Sequence, residues 1–216
     1  MSTASLTNLT VPLGSDGQSP STQGMLMPKL AYRFRVQFQN FGIKGTTTEL
    51  TKQVMKFDKP KVQFEEIKLP IYNSTIKLAG KYSWNDVTCD LRDDAAGTVS
   101  QLVGSQLQKQ LDFLEQSSAS SGIDYKFTTV FQVLDGGNGA VAPTVLEEWQ
   151  LIGCYLKDVN YNTADYGTSE AMKISMTITF DNAVQDPASN GAAGVGSVST
   201  LGLSRSDVAT GAGTGF

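Results

Sequence analysis

The chain has 216 residues, of which 40% are apolar and 9% aromatic, enough for about one packed domain with a real core. Charged residues make up 18% and the formal net charge is −4, which argues against a protein that grips phosphates through a basic footprint. There is no histidine, so Ser-His-Asp and Cys-His nucleophile systems are excluded, and metal binding is left to carboxylates or thiols.

Residues 1–24 are mostly Ser, Thr, Gly and Pro with one charge, Asp16, and have neither a basic leader nor an apolar run of signal-peptide length. The segment AYRFRVQFQNF opens the structured part. Tyr32, Phe34, Val36 and Phe38 alternate there with Arg33, Arg35, Gln37 and Gln39, a period of two that predicts a half-buried strand. A further strand is expected at 52–57. KVQFEEIKL alternates as well, but Val62 and Phe64 are out of phase with Ile67 and Leu69. An extra residue near Glu65-Glu66 therefore implies a bulge or bend.

Strands at 75–79 and 84–91 follow, and then the period changes. Val99, Leu102, Val103, Leu107, Leu111 and Leu114 recur at spacings of three and four, which predicts one amphipathic helix. Asp94 is its expected N-cap, and Ser117 to Gly122 its end. Tyr125, Phe127, Thr129, Phe131 and Val133 alternate into the turn DGGNG at 135–139, a hairpin signal. A strand over 145–157 comes next. The closing strand sets Met172, Ile174, Met176, Ile178 and Phe180 against Lys173, Ser175, Thr177, Thr179 and Asp181. Residues 185–216 have almost no large apolar side chains, and such an arm cannot offset its ordering entropy by self-burial.

The expected architecture is mainly β: two packed antiparallel sheets, a β-sandwich or partial barrel, with one flanking α-helix and extended N- and C-terminal arms. Its parts are an arm at 1–24, a core at 25–184 and a Gly/Ser/Ala-rich arm at 185–216. Tyr32, Phe34, Val36, Phe38, Phe127, Phe131, Ile174, Met176 and Ile178 are expected between the sheets.

No motif supplies chemistry. Gly137 to Ala142 formally fits G-x-G-x-x-A, but Pro143 and a strand follow where a dinucleotide site needs a helix. The pairs Glu65-Glu66, Asp93-Asp94 and Glu147-Glu148 sit on adjacent positions, and adjacent strand residues point to opposite faces. They read as solvated charge, with Asp93-Asp94 at a strand end and helix cap. Cys89 and Cys154 form no CxxC pair and read as small buried hydrophobes. Catalytic, metal and cofactor residues are all expected to be none.

Two blocks carry a resemblance. The first is VMKFDKPKVQFEEIKLPIYNSTIKLAGKYSWNDVTCDLRDD at 54–94: an extended entry, a strand ending in Leu69-Pro70, a polar turn with Asn73, the strand IKLAG, and a strand running into an acidic helix start. The second is EEWQLIGCYLKDVNYNTADYGTSEAMKISMTITFD, which closes on an alternating strand and an Asp. In order and content they resemble the tail tube protein of contractile-tailed bacteriophages. The long N-terminal arm, longer helix and long C-terminal tail depart from that family.

The resemblance implies a structural virion protein: hexameric rings stacked into the inner tail tube, a conduit for DNA ejection inside a contractile sheath. About four strands per subunit would join a continuous lumenal barrel, whose backbone diameter works out near ~50 Å from strands ~4.8 Å apart and tilted ~45°. Implied partners are copies of itself, the sheath protein outside, baseplate and tail-terminator proteins at the ends, and tape-measure protein and passing DNA in the lumen. The implied location is the virion tail, assembled in the host cytoplasm. A tube protein of a contractile injection or type VI-like secretion system shares this reading, and a monomeric β-sandwich binding module is the remaining alternative.

One set of contact residues follows from the resemblance, and a second from the arms that depart from it. The connection Gly42, Ile43, Lys44, Gly45, Thr46, Thr47 and Thr48 is expected at the contact between rings. Leu6, Leu9, Val11 and Leu13 in one arm, and Leu201, Leu203 and Phe216 in the other, are expected to anchor the arms between neighbours. Arg33 and Arg35 are expected outside the lumen or paired with carboxylates, so that DNA does not adhere.

Overall fold

A computed structural model describes residues 29–43, 47–118, 122, 124–135, 143–167 and 169–186. The chain divides into two units between Arg33 and Phe34. In the first, the Arg33 N–H donates to the Leu30 carbonyl at 3.1 Å, closing a turn. Tyr32 lies in that turn and is exposed, contrary to its expected place in the core. Its alternation with Phe34 is real in sequence, but strand geometry begins one residue after the turn.

The second unit contains β1 (Phe34–Gln39), α1 (Thr48–Gln53), β2 (Val54–Phe57), β3 (Val62–Ile71), β4 (Ser74–Trp84) and β5 (Val87–Arg92). After these come α2 (Thr98–Gln110), β6 (Leu111–Asp112), β7 (Ser117–Ser118), β8 (Phe127–Leu134), β9 (Val145–Asn160), β10 (Lys173–Thr179) and β11 (Asn182–Asp186). The strand expected over 52–57 is shorter than its sequence suggested. Residues 48–53 form α1, which seats Leu50 in the core, and β2 starts at Val54. Besides the expected helix there is therefore a second, six-residue one.

Among the described residues the strands of the main sheet all pair antiparallel, in the order β1-β8-β9-β10-β5-β2, with β11 also on β9. The long β9 belongs to both halves of this sheet. Its first part pairs with β8 and β11, and its last part, Tyr155–Asn160, pairs with β10. The change of partner follows Gly153, whose φ is +73°, a conformation that side chains with a Cβ rarely adopt. Opposite it the Asp181 N–H donates to the Ile152 carbonyl at 3.0 Å, so the β10–β11 junction crosses the corner tightly. Such corners let one strand serve two packed layers.

Between the layers lie Val36, Phe38, Phe127, Phe131, Ile174, Met176 and Ile178, all buried as their alternation predicts. Phe34 is half-buried and stacks on Phe131 at 5.9 Å. Cys89 is buried beside Val87 and Leu91, and Cys154 is buried on β9. Truncating one of the fully buried aliphatic side chains removes transfer energy and leaves a cavity, together about 2–5 kcal/mol.

Helix α2 covers the core with Val99, Leu102 and Val103. Asp94 caps it from a distance: Gly97 occupies the N-cap position, and Oδ1 of Asp94 accepts the Val99 N–H at 3.1 Å. This bond holds the Asp94 carboxyl below its ordinary pKa. The helix ends at Gln110, earlier than the apolar stripe implied. Leu111 enters β6 and Leu114 is fully out in solvent. Two side chains break the stripe. Gln110 brackets Leu156 on β9, donating from Nε2 to its carbonyl (3.0 Å) and accepting its N–H (2.9 Å). Asp112 Oδ1 then accepts the Leu114 N–H at 2.9 Å, which turns the chain.

Candidate assembly surface

The most prominent feature beyond the core is the hairpin β3–β4. It continues the β2–β5 pair outward, through the Asp58 N–H to the Thr88 carbonyl (3.0 Å) and the Asn85 N–H to the Lys61 carbonyl (2.9 Å). At ~3.3 Å per residue, the 11 residues of β4 reach about 35 Å. Within the described residues β3 and β4 pair only with each other, so both outer edges present free N–H and C=O groups.

The predicted bulge is present, at the register shift between Phe64 and Glu66. Its effect is chemical. β4 has no bulge, so Trp84, Tyr82, Leu78 and Ile76 share one face. Their partners are Val62, Phe64, Ile67 and Leu69, in that order. The extra residue on β3 thus brings two out-of-phase apolar sets onto the same side. Gly80 stands opposite the bulge, where a Cβ would lie 3.0 Å from the Glu65 carbonyl oxygen and 3.2 Å from Ile67 Cγ1, so this site favours glycine. The other face carries Glu66, Lys68, Thr75 and Lys77, with Glu66 paired to Lys77 at 2.9 Å and to Lys68 at 3.9 Å.

The apolar face is largely uncovered. Val62, Phe64, Ile67, Leu69, Ile71, Ile76, Leu78 and Tyr82 are between 38% and 57% exposed. Together they offer on the order of 600 Å² of apolar surface, at the upper end of the largest patch on a typical monomer. At its base this face runs into the core, where Trp84 packs on Phe180 with ring centroids 5.7 Å apart.

Polar contacts hold the hairpin at its root. The Lys59 ammonium meets Glu147 at 3.2 Å, and Glu147 also accepts the Trp149 indole N–H at 2.6 Å and the Gln185 amide at 3.2 Å. Asp86 accepts from Lys157 at 2.6 Å and from Thr179 at 2.8 Å. The Lys157 bond, the larger influence, draws the Asp86 carboxyl below its ordinary pKa. Thr88 donates to Asp58, and the Trp84 indole N–H to Asn182 at 3.2 Å. Sequence reasoning missed these clamps, because all of them except the Glu147–Trp149 bond join residues far apart in the chain. The Glu147-Glu148 doublet does not converge: Glu147 is buried while Glu148 accepts from Gln132. Among the described residues no three or more Cys, Asp or Glu side chains come together as a metal site.

Of the connection 42–48, Lys44, Gly45 and Thr46 lie outside the described residues. Gly42 is buried, and its N–H donates to Gln106 Oε1 at 2.8 Å. Ile43 is exposed. The Thr47 hydroxyl donates to the Phe38 carbonyl at 2.7 Å, and Thr48 opens α1. The arm residues Leu6, Leu9, Val11, Leu13, Leu201, Leu203 and Phe216 lie outside the described residues, as does the G-x-G-x-x-A segment. Its flanks, β8 and β9, pair antiparallel as a hairpin, the arrangement that excludes a dinucleotide fingerprint there. Among the described residues Arg35 reaches no carboxylate directly: it donates to Gln132 Oε1 at 2.6 Å and 2.9 Å, and Gln132 in turn donates to Glu148 at 2.6 Å. Arg33 lies over the Tyr32 ring at 5.5 Å.

No protein-family model and no curated protein matches the sequence. Solved structures do match in fold. The tube-terminating cap of the anti-feeding prophage aligns with a TM-score of 0.57 at 12% identity, over 82% of this chain and 100% of that one. The sheath/tube terminator of PVC, an extracellular contractile injection system, aligns at 0.54 and 12%, over 76% and 99%. A chain of the PVC sheath-tube complex aligns at 0.51 and 13%, over 74% and 92%. The fold is therefore the one shared by these components of contractile injection systems, as the resemblance to tail tube proteins led us to expect.

Proposed function

We propose that this chain is a non-enzymatic structural subunit of the inner tube of a contractile machine, stacking as hexameric rings. The observation that carries this is the β3–β4 hairpin: an apolar face, largely exposed, between two strand edges that none of the described residues pairs with. A lone two-stranded hairpin is marginal in water, and free edges are templates for another chain. Copies of the same chain satisfy both needs, by extending the hairpin into a continuous barrel and covering its apolar side. The fold it shares with a tube-terminating cap and a sheath/tube terminator supports this reading.

In a phage tail the tube is the conduit for DNA ejection, with sheath outside, baseplate and terminator at the ends, and tape-measure protein within. The internal pairing of Glu66 with Lys68 and Lys77 suits a wall that does not retain a polyanion. The 42–48 connection contributes the contact between rings, with exposed Ile43 following the anchored Gly42. Both arms pack between neighbouring subunits. A second reading, a tube or cap subunit of an extracellular injection system, is favoured by the named fold neighbours.

Negative-stain images of the purified protein test the proposal. Rings or hollow tubes are the expected result, and a monodisperse monomer at high protein concentration overturns it. Imaging purified virions for this subunit separates the phage reading from the second one.

A further inference from the structure

We propose that the outer apolar face of the β3–β4 hairpin docks on the knob and groove at the end of α2 of a second copy of this chain, an inference that rests on the tube reading. The donor surface is Ile67, Leu69, Ile76 and Leu78, each close to half exposed. Root clamps on β9 and β10 hold the hairpin out from its own body.

The receiving surface is built just as deliberately. Gln110 pins the end of α2 to β9 at Leu156. Asp112 Oδ1 accepts the N–H groups of Leu114 (2.9 Å) and Glu115 (3.3 Å), which fixes a tight turn between β6 and β7. That turn presents Phe113 at 61% and Leu114 at 92% exposure. Beside it is a groove of about 500 Å³ that includes Leu111, Tyr125 and Tyr155, the two tyrosine rings in edge contact at 6.3 Å. An exposed Phe-Leu pair held rigidly costs solubility with no return inside the subunit.

Area and symmetry point to a second copy. The whole hairpin face, of which these four residues form the outer part, is on the order of 600 Å² and approaches the ~800 Å² that each partner contributes to a standard interface. The two surfaces differ in shape, one a projecting sheet and the other a knob beside a groove. A contact between unlike patches is heterologous, and it propagates into closed rings or filaments instead of stopping at a pair.

The chain suits a cysteine cross-linking test. Cys89 and Cys154 are buried, and burial pushes both thiols up, Cys154 to about 11, so neither competes for a maleimide at neutral pH. Leu78→Cys and Leu114→Cys proteins are prepared separately, co-assembled, imaged and treated with a short bismaleimide. We expect a covalent dimer joining one variant to the other, with little from either variant alone. Particles that form without the Leu78–Leu114 cross-link, or that link Leu78 to Leu78, overturn this contact while leaving the tube reading intact. Absence of all particles in the parent protein overturns both. Leu114→Glu provides a second measurement: its melting temperature should match the parent, since the side chain is in solvent, and its incorporation into particles should fall at least tenfold. Undiminished incorporation overturns the contact.

Discussion

Truncating the cross-strand pair Ile67 and Leu78 to alanine separates what holds the subunit together from what holds subunits to each other. Each side chain is close to half exposed in the isolated chain, at 47% and 48%. Leucine or isoleucine to alanine removes about three methylene equivalents, ~0.8 kcal/mol each, so the uncovered half of each side chain represents ~1.2 kcal/mol still available on association. The double variant therefore forfeits ~2.4 kcal/mol per contact, which at ~1.4 kcal/mol per decade is roughly 50-fold in association constant. Sedimentation of assembled material across a dilution series reads this as a matching rise in critical concentration. Lys68→Ala, on the opposite face of the same hairpin, should leave it unchanged. Ile178→Ala, fully buried in the core, should instead lower folding stability by ~2–5 kcal/mol and leave the assembly of folded subunits as it was. A critical concentration for the double variant within about threefold of the parent would refute the reasoning, because no interface then covers that face.

Three further outcomes test the fold beneath the surface. Gln106 is fully buried and joins two backbone groups, accepting the Gly42 N–H at 2.8 Å and donating to the Tyr125 carbonyl at 2.7 Å. Gln106→Leu orphans both, at ~1–3 kcal/mol each, and should shift the urea midpoint down with the slope preserved. Gly153→Ala places a Cβ against the Asp181 carboxylate at a backbone φ of +73°; it should destabilise by more than ~1 kcal/mol, and an unchanged melting temperature counts against the corner. The Asp86 carboxyl has a folded pKa below its unfolded value of 3.8. Its stabilising contribution is complete above that value and is lost as pH falls through the folded pKa. Urea titrations from about pH 6 down to pH 2 should therefore show a shallower acid decline in Asp86→Asn than in the parent.

Much of this molecule is legible in its residue pattern, and the reason differs from element to element. β1, β8 and β10 announce themselves because each buries residues against the core, and alternation is the direct imprint of that burial. The bulge in β3 is legible because it must reverse the parity of the apolar positions, and Val62/Phe64 against Ile67/Leu69 do so. The end of α2 is not legible. Leu111 and Leu114 continue the helical spacing, yet Gln110 finds Leu156 46 residues away and Asp112 captures the next N–H groups. The corner at Gly153 is equally hidden, since it depends on the approach of Asp181.

By itself the sequence determined the β-rich class, the positions of most strands, the bulge and the absence of a histidine-based catalytic site, because periodicity and composition are local properties of the chain. The tertiary structure alone decided which apolar faces are covered. Ile178 and Leu78 sit in strands of the same alternating pattern, but one is fully buried and the other 48% exposed. β10 lies between β9 and β5 in the main sheet, whereas β4 runs past the end of that sheet with, among the described residues, only β3 beside it. A period of two says that a side of the strand is apolar, and only the placement of every other element says whether anything is there to meet it.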